Sequence, residues 1–146
     1  MPAKIFLDTN VLIYAFDQTV PAKRERSRDI IRGDLDWVVS WQVVQEFCAV
    51  ALHRFKVPMA MTDLRDYLDV VLLPRCRVMP TAEIYRQALG VQTQTGYRFY
   101  DSLVVTAALA SGAGVLYSED LQHGRQIGDV RIENPFLEPA EKGVKP

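Results

Sequence analysis

Cysteine is scarce in this sequence of 146 residues, which contains only Cys48 and Cys76. Neither lies in a Cys-x-x-Cys pair or at metal-ligand spacing from a histidine, so the sequence indicates neither a zinc site nor a disulfide framework. We expect both to be buried free thiols, as is typical of proteins in a reducing cytoplasm. The predicted localisation is therefore cytoplasmic.

Long hydrophobic runs are also missing, and so is a large charge of one sign. No apolar run approaches the roughly 20 residues that a helix needs to cross a bilayer, and the N-terminal MPAKIFLD reaches an acid too early for a secretory signal. We therefore expect no association with a membrane. The formal net charge of −1 argues against a strongly basic nucleic-acid binder and against a polyacidic tail.

The sequence does contain enough apolar material for a packed core, with 49% hydrophobic and 24% charged residues. Helical patterns alternate with short apolar runs of strand length, which lie at 5–7, 37–39, 77–79, 115–117 and 130–132. This alternation predicts an α/β fold, with a central parallel sheet of about five strands flanked by helices on both faces. We expect one domain over residues 1–137, followed by a flexible C-terminal tail over 138–146.

Several acidic residues occupy positions where an apolar or neutral residue would cost less free energy. They are Asp8 at the end of the run IFL, Glu46 within the apolar helix pattern QVVQEFCAVAL, Asp101 at the start of the apolar helix YDSLVVTAALASG, and Asp120 after the run VLY. A buried carboxylate without a partner costs several kcal/mol, so such residues need hydrogen bonds or a cation. Each also has a structural interpretation, as a turn residue, a solvated helix position, a charge at a helix N-terminus or a cap.

Two of these acids, Asp8 and Asp120, follow predicted strands of one parallel sheet. Ligands of such sheets gather outside the carboxyl ends of the strands. If the four acids converge, their mutual repulsion calls for a divalent cation, and ligands that are all oxygen suit Mg²⁺ or Mn²⁺. Magnesium prefers one or two carboxylates together with substrate phosphate, so such a site points to phosphoryl chemistry.

Four segments carry a resemblance to a known family: IFLDTNVLIYAF, QEF, FYDSLVVTAA and VLYSEDLQHG, in this order. Together with the closing VRIENPF, they resemble the PIN-domain ribonucleases, and more narrowly the toxins of prokaryotic VapBC-type toxin–antitoxin pairs. The resemblance covers almost the whole chain. It implies a metal-dependent endoribonuclease that uses Mg²⁺ or Mn²⁺, with a quartet of catalytic and metal-binding acids at Asp8, Glu46, Asp101 and Asp120.

The resemblance also assigns supporting positions to Asn10 and Ser118, which would orient the carboxylates or a water molecule. Many relatives read Thr-Asn-Asp where this chain reads Ser118-Glu119-Asp120. We expect Asp120 to be the principal ligand of the two neighbouring acids and count Glu119 among the supporting residues.

The expected partners follow from the same resemblance. RNA must reach an acidic site, and the densest basic run contains Lys23, Arg24, Arg26 and Arg28, which either contacts RNA phosphates or is a solvated helix face. A cognate antitoxin is expected to bind an apolar groove and to insert an arginine among the acids. The apolar residues of the segment DYLDVVLL suggest a homodimer.

Other classes of small α/β protein fit the sequence less well. A phosphoacceptor receiver domain would need an aspartate after its third strand and a lysine after its fifth, and the segments RVMPTAE and IENPF supply neither. A haloacid-dehalogenase-type phosphatase would carry Asp-x-Asp, whereas Asp8 is followed by Thr9 and Asn10. The remaining alternative is a PIN-fold module that binds RNA or protein without catalysis.

Overall fold

The computed structural model describes residues 3–137, so the predicted tail lies outside the described residues. Within this part of the chain, strands and helices alternate as the sequence predicts. The strands are β1 (Lys4–Leu7), β2 (Asp36–Ser40), β3 (Cys76–Val78), β4 (Val115–Tyr117), β5 (Gln126–Ile127) and β6 (Val130–Glu133). The α-helices are α1 (Thr9–Ile13), α2 (Pro21–Arg32), α3 (Trp41–His53), α4 (Met61–Tyr67), α5 (Ala82–Thr95) and α6 (Phe99–Ala110).

One sheet organises the molecule, with the strand order β3-β2-β1-β4-β6-β5. All neighbouring strands are parallel except β5 and β6, which form an antiparallel pair at one edge. The central β1 is paired with β2 on one side and with β4 on the other. The predicted α/β class and the predicted parallel sheet are therefore confirmed.

Both faces of the central strands are covered by protein. Successive side chains of a strand point to opposite faces, and Ile5, Phe6 and Leu7 of β1 are all buried. The same holds for Trp37, Val38 and other residues of β2. This continuous burial explains why these strands read as uninterrupted apolar runs in the sequence.

The five strand runs of the sequence all form strands, whereas β5 was not predicted. It has only two residues, and it pairs with β6 across a turn in which Gly128 has a φ of 56°. A two-residue strand leaves no alternation to detect, so its formation depends on the pairing partner rather than on its own sequence.

The predicted helices form with small shifts at their ends. Thr81 caps α5, since its hydroxyl accepts a hydrogen bond from the backbone N–H of Ile84 at 3.2 Å. Ser40 directly precedes α3, but its side chain makes no capping hydrogen bond. Helix α4 continues as one π-helical turn, Leu68–Leu72, before Pro74.

Helix α6 is an interior helix, as its apolar composition predicts. Its residues from Ser102 to Ala108 are buried without interruption. The preceding turn requires Gly96, which ends α5 in the left-handed region at a φ of 78°, where a side chain would be strained. This turn places Asp101 in the first turn of α6.

The fold bears on the expectations about membrane-spanning helices and about the two cysteines. No helix within residues 3–137 is long and apolar enough to span a bilayer. Cys48 and Cys76 are free thiols, but they are half-buried rather than fully buried as expected.

We expect Phe47→Ala to lower the free energy of unfolding by about 3–5 kcal/mol, the usual cost of removing a buried aromatic ring. Phe47 is fully buried, and its ring packs on those of Phe16, Phe55 and Tyr67 at centroid distances of 5.7, 6.2 and 5.1 Å. Urea denaturation measures the change. Val57→Ala is the control, because that side chain is 78% exposed and its loss should cost less than about 0.5 kcal/mol.

Candidate active site

The candidate site is organised around Asp8, which follows β1 directly and caps α1. Its carboxylate accepts hydrogen bonds from the backbone N–H of Thr9 at 2.8 Å, from the Ser118 hydroxyl at 2.7 Å and from the Asn10 amide at 3.3 Å. Its own backbone N–H donates to the carbonyl of Tyr117 at 3.0 Å, which continues the pairing of β1 with β4. The ends of these two strands therefore meet at Asp8.

Burial raises the pKa of Asp8 from its ordinary value of 3.8 to about 6. The hydrogen bonds from Ser118 and Thr9 lower the pKa but do not offset the loss of water, and the negative charges of Glu46 and Asp120 raise it further. Asp8 is 8% exposed, and no lysine or arginine among residues 3–137 forms an ion pair with it. Asp8 is thus a buried acid whose ionised form has hydrogen bonds but no cation.

Asn10 connects two of the acids. Its side-chain amide donates to Asp8 Oδ2 at 3.3 Å and to Asp120 Oδ2 at 3.1 Å, while its Oδ1 accepts from the backbone N–H of Glu119 at 3.2 Å. The two carboxylates are therefore separated by a single amide group. Asn10 therefore connects Asp8 to the segment that contains Glu119 and Asp120.

Ser118 makes a second connection between the same elements and is fully buried. Its hydroxyl donates to Asp8 Oδ2 at 2.7 Å and accepts from the backbone N–H of Asp120 at 3.2 Å. The backbone N–H of Ser118 donates to the carbonyl of Glu133 in β6 at 3.0 Å. The segment 118–120 is thus fixed to β1 and to β6 at once, which orients Asp120 toward Asn10.

Glu46 reaches the site from α3, where the acceptor Glu46 Oε1 lies 3.1 Å from the donating hydroxyl of Thr9. The protein atoms around Glu46 raise its pKa by desolvation, the Thr9 hydrogen bond lowers it, and the charges of Asp101 and Asp120 raise it. Glu46 is exposed on α3, which is the solvated helix position that the sequence also allowed. Glu46 is connected to the other acids by its hydrogen bond from Thr9 and by the effect of the Asp101 and Asp120 charges on its pKa.

Asp101 enters from the first turn of α6 and is half-buried. Desolvation raises its pKa, the charge of Asp120 raises it further, and Arg98 lowers it. Each of the four predicted acids therefore acts electrostatically on at least one other, although they come from four different elements. Only Asp8 is buried, and Asp120 is exposed.

Glu119 points away from these acids. One of its carboxylate oxygens accepts from the Tyr14 hydroxyl at 2.5 Å, and the other forms an ion pair with the ammonium group of Lys23. Glu119 touches the site only through its backbone N–H, which donates to Asn10. Its carboxylate is therefore not in position to join the acids as the structure stands.

The basic run of α2 is largely engaged with its own chain. Lys23 pairs with Glu119, the Arg26 Nε donates to the carbonyl of Pro135 at 3.0 Å, and the Arg28 Nε donates to the carbonyl of Ala15 at 2.9 Å. Arg24 Nε lies 3.6 Å from a carboxylate oxygen of its neighbour Glu25. All four side chains are half-buried, which is less access than a solvated helix face would give.

The donor set fits a hard divalent cation, because the four acids offer oxygen ligands and no lysine or arginine of residues 3–137 is ion-paired with them. Within that same range, no three acidic, histidine or cysteine side chains lie close enough together to hold an ion as they stand. Mg²⁺ does not require such a group, since it commonly binds one or two carboxylates with water and substrate phosphate.

Sequence reasoning missed two residues at this site. Thr9 holds both Asp8 and Glu46, through its backbone N–H and its hydroxyl. Tyr14 holds Glu119. Both lie in the segment DTNVLIY directly after β1, so proximity to Asp8 was the available signal, whereas their partners lie 37 and 105 positions further along the chain.

Comparison with known proteins identifies the type of domain. The sequence profile of the PIN domain family matches residues 5–126. No curated protein sequence matches the chain. The predicted resemblance to PIN domains is thereby confirmed at the level of the family.

Solved structures share the fold. A chain of FitAcB from Neisseria gonorrhoeae has a TM-score of 0.63 at 18% identity, over 90% of this chain and 98% of that one. VapC20 of Mycobacterium tuberculosis, a toxin that cleaves the sarcin-ricin loop, has a TM-score of 0.60 at 20% identity, over 80% of this chain and 89% of that one. A chain of VapBC2 from Rickettsia felis, solved with a promoter DNA fragment, has a TM-score of 0.59 at 19% identity, over 90% of this chain and 98% of that one. The predicted likeness to VapBC-type toxins is therefore confirmed in the fold.

We expect Asp8→Asn to stabilise the protein in the absence of divalent cations at pH 7. The folded pKa of Asp8 lies above its ordinary value, so its contribution to stability is present below about pH 4 and is lost as the pH rises through 6. The loss is at most about 3 kcal/mol, at 1.36 kcal/mol for each pKa unit. Urea denaturation with chelator at pH 4 and pH 7 measures it.

The matched control is Asp17→Asn. The pKa of Asp17 is lowered by hydrogen bonds from Thr19, so the sign of its contribution is opposite and the variant should gain nothing as the pH rises. Equal pH dependence in wild type and Asp8→Asn would contradict the assignment of a buried, uncompensated charge to Asp8.

Proposed function

This chain belongs to the PIN domain family, and we propose that it is a metal-dependent endoribonuclease that hydrolyses RNA phosphodiester bonds as the toxin of a type II toxin–antitoxin pair. The observation that carries the proposal is Asp8, a buried carboxylate at the carboxyl end of β1 that forms no ion pair within residues 3–137 and whose pKa is raised further by the charges of Glu46 and Asp120. The charges of Asp101 and Asp120 likewise raise the pKa of Glu46. Such a site costs free energy unless a ligand uses it.

The residues of the site have distinct roles in this proposal. Asp8, Glu46, Asp101 and Asp120 would hold Mg²⁺ or Mn²⁺. Asn10 and Ser118 keep the carboxylate of Asp8 and the segment of Asp120 in place through the hydrogen bonds described above. Thr9 does the same for Glu46.

The chemistry that such a cation supplies is the acidification of water for attack on phosphorus and the neutralisation of charge on the phosphate oxygens. The chain supplies the framework for that chemistry. Glu46 and Asp101 have raised pKa values, so their carboxylates accept a proton more readily than ordinary acids do. Exposed Asp120 and Glu46 leave the site open to a long substrate on one side.

The proposed partners are a cognate antitoxin and a second copy of the chain. The structures that share the fold include the complexes VapBC and FitAB. In this chain an arginine of a partner would find four carboxylates that form no ion pair with any lysine or arginine of residues 3–137. For a homodimer, Met61, Val70 and Leu73 offer apolar surface, being 67, 75 and 49% exposed.

We expect the purified protein to cleave RNA in the presence of Mg²⁺ or Mn²⁺ and to stop when a chelator is added. Asp8→Asn and Asp101→Asn should each lower kcat by at least about 100-fold, because a site ligand matters at least as much as the outer residues that orient it. Gel assays with labelled RNA and sequencing of the cleaved ends provide the measurement.

The matched control for these variants is Asp129→Asn, which removes an exposed aspartate at the turn between β5 and β6. It should cleave RNA like the wild type. Undiminished cleavage by Asp8→Asn would contradict the site assignment, and binding of RNA without cleavage at any metal concentration would favour the non-catalytic alternative.

Tyr100 is expected to stack on an RNA base beside the site. It directly precedes Asp101, it is 71% exposed, and its backbone carbonyl accepts a hydrogen bond from the buried Gln42 side chain at 3.2 Å. Stacking of a base on an aromatic ring contributes about 1–3 kcal/mol, so Tyr100→Ala should raise KM about 5- to 150-fold. Tyr100→Phe should preserve KM, as should Tyr85→Ala, which removes an exposed ring on α5.

A further inference from the structure

We propose that Lys23 and Tyr14 hold the carboxylate of Glu119 away from the four acids, so that Asp120 alone of these two neighbouring acids serves the site. Lys23 and Tyr14 are then positioning residues. This inference rests on the proposed function and names two residues, from α2 and from the short helix that follows α1, that determine the composition of the cation site.

Both carboxylate oxygens of Glu119 have partners within the protein. One oxygen accepts from the Tyr14 hydroxyl at 2.5 Å and the other pairs with the Lys23 ammonium group, which also donates to the Tyr14 hydroxyl at 3.4 Å. The Lys23 ammonium lies 4.9 Å from the Tyr14 ring centroid and 5.9 Å from that of Phe136. The two rings pack edge to face at 4.9 Å.

The backbone of Glu119 is held in the opposite direction. Its N–H donates to Asn10 Oδ1 at 3.2 Å, and the amide of the same asparagine donates to Asp120 Oδ2. The side chain of Glu119 is thus held toward α2, while the next carboxylate in the chain is held toward Asp8. The two acids diverge because each has its own partner.

The position of the Glu119 carboxylate affects how many negative charges lie near the proposed cation site. A freed Glu119 would add a fifth carboxylate next to Asp120, where desolvation and repulsion already raise the pKa values of Glu46 and Asp101. Hard cations accept any nearby carboxylate oxygen, so an unrestrained Glu119 would compete for the ion and change where it sits. The pairing with Lys23 prevents this competition.

The same contacts make Lys23 unsuitable as an RNA contact. Its ammonium group is used by Glu119, by the Tyr14 hydroxyl and by two aromatic rings, and its side chain is 33% exposed. Lys23 is the first residue of the predicted RNA-binding run, and in this proposal it positions Glu119 instead of contacting RNA.

The test is Lys23→Ala, with Mn²⁺ affinity measured by calorimetry and kcat and KM measured on RNA. We expect Mn²⁺ to bind about 5- to 10-fold more tightly, because a positive charge is removed and a carboxylate is released. We expect kcat to fall about 10-fold, because the ion is misplaced, and KM to stay within about twofold. Lys23→Arg should stay close to the wild-type values, since it keeps a positive charge that can pair with Glu119.

The double variant Lys23→Ala/Glu119→Gln makes the test specific. It should return the Mn²⁺ affinity toward the wild-type value, because the competing carboxylate is gone. Arg86→Ala is the control, because it removes a cation that is paired with Glu83 on α5. It should leave the Mn²⁺ affinity, kcat and KM unchanged. A rise in KM alone after Lys23→Ala would instead make Lys23 an RNA contact, and a loss of Mn²⁺ affinity in Glu119→Gln as large as in Asp120→Asn would make Glu119 a ligand. Either result overturns the proposal.

A measurement on the metal-free protein separates this proposal from the proposed function. If Lys23 restrains the Glu119 carboxylate, the NMR chemical shift of that carboxylate carbon should change in Lys23→Ala and stay near the wild-type value in Lys23→Arg, and an unchanged shift in Lys23→Ala would overturn the restraint. If wild type and Asp8→Asn are equally inactive and bind no Mn²⁺, the nuclease proposal fails, whereas the NMR result still decides the role of Lys23.

Discussion

The structure of the site depends on the burial of one carboxylate at the end of a central strand. Asp8 is buried away from water, and its carboxylate accepts hydrogen bonds from Thr9, Asn10 and Ser118. Because the residues that donate these bonds lie after β1 and after β4, the bonds hold two segments more than a hundred residues apart in the chain. The same hydrogen bonds that stabilise Asp8 in the folded chain therefore also bring Asp120 close to it.

The neighbouring acids show how a fold distinguishes side chains of similar chemistry. Glu119 and Asp120 are adjacent in sequence, yet the first is neutralised by Lys23 and the second faces Asn10. Glu46 lies on an exposed helix face and still belongs to the site through Thr9. Membership of the site is thus decided by partners that sequence spacing does not reveal.

The fold could be predicted from the sequence because its signals are local: apolar runs give β1 and β4, and the all-round apolar pattern gives the buried α6. The approach of Asp8 and Asp120 also follows, since parallel strands end at one edge. What could not be predicted depends on tertiary contacts. The two-residue β5 forms only against its partner, the exposure of Glu46 depends on which helix face packs, and the roles of Tyr14 and Lys23 arise from a segment near the other end of the chain.

Helix α6 has a consequence for when the site exists at all. Its buried stretch from Ser102 to Ala108 has no solvated side, so the helix is stable only inside the completed molecule. Asp101 is mounted on its first turn. A partly unfolded chain in which α6 has not formed consequently lacks one of the four acids in place, so the proposed cation site would be complete only in the folded domain.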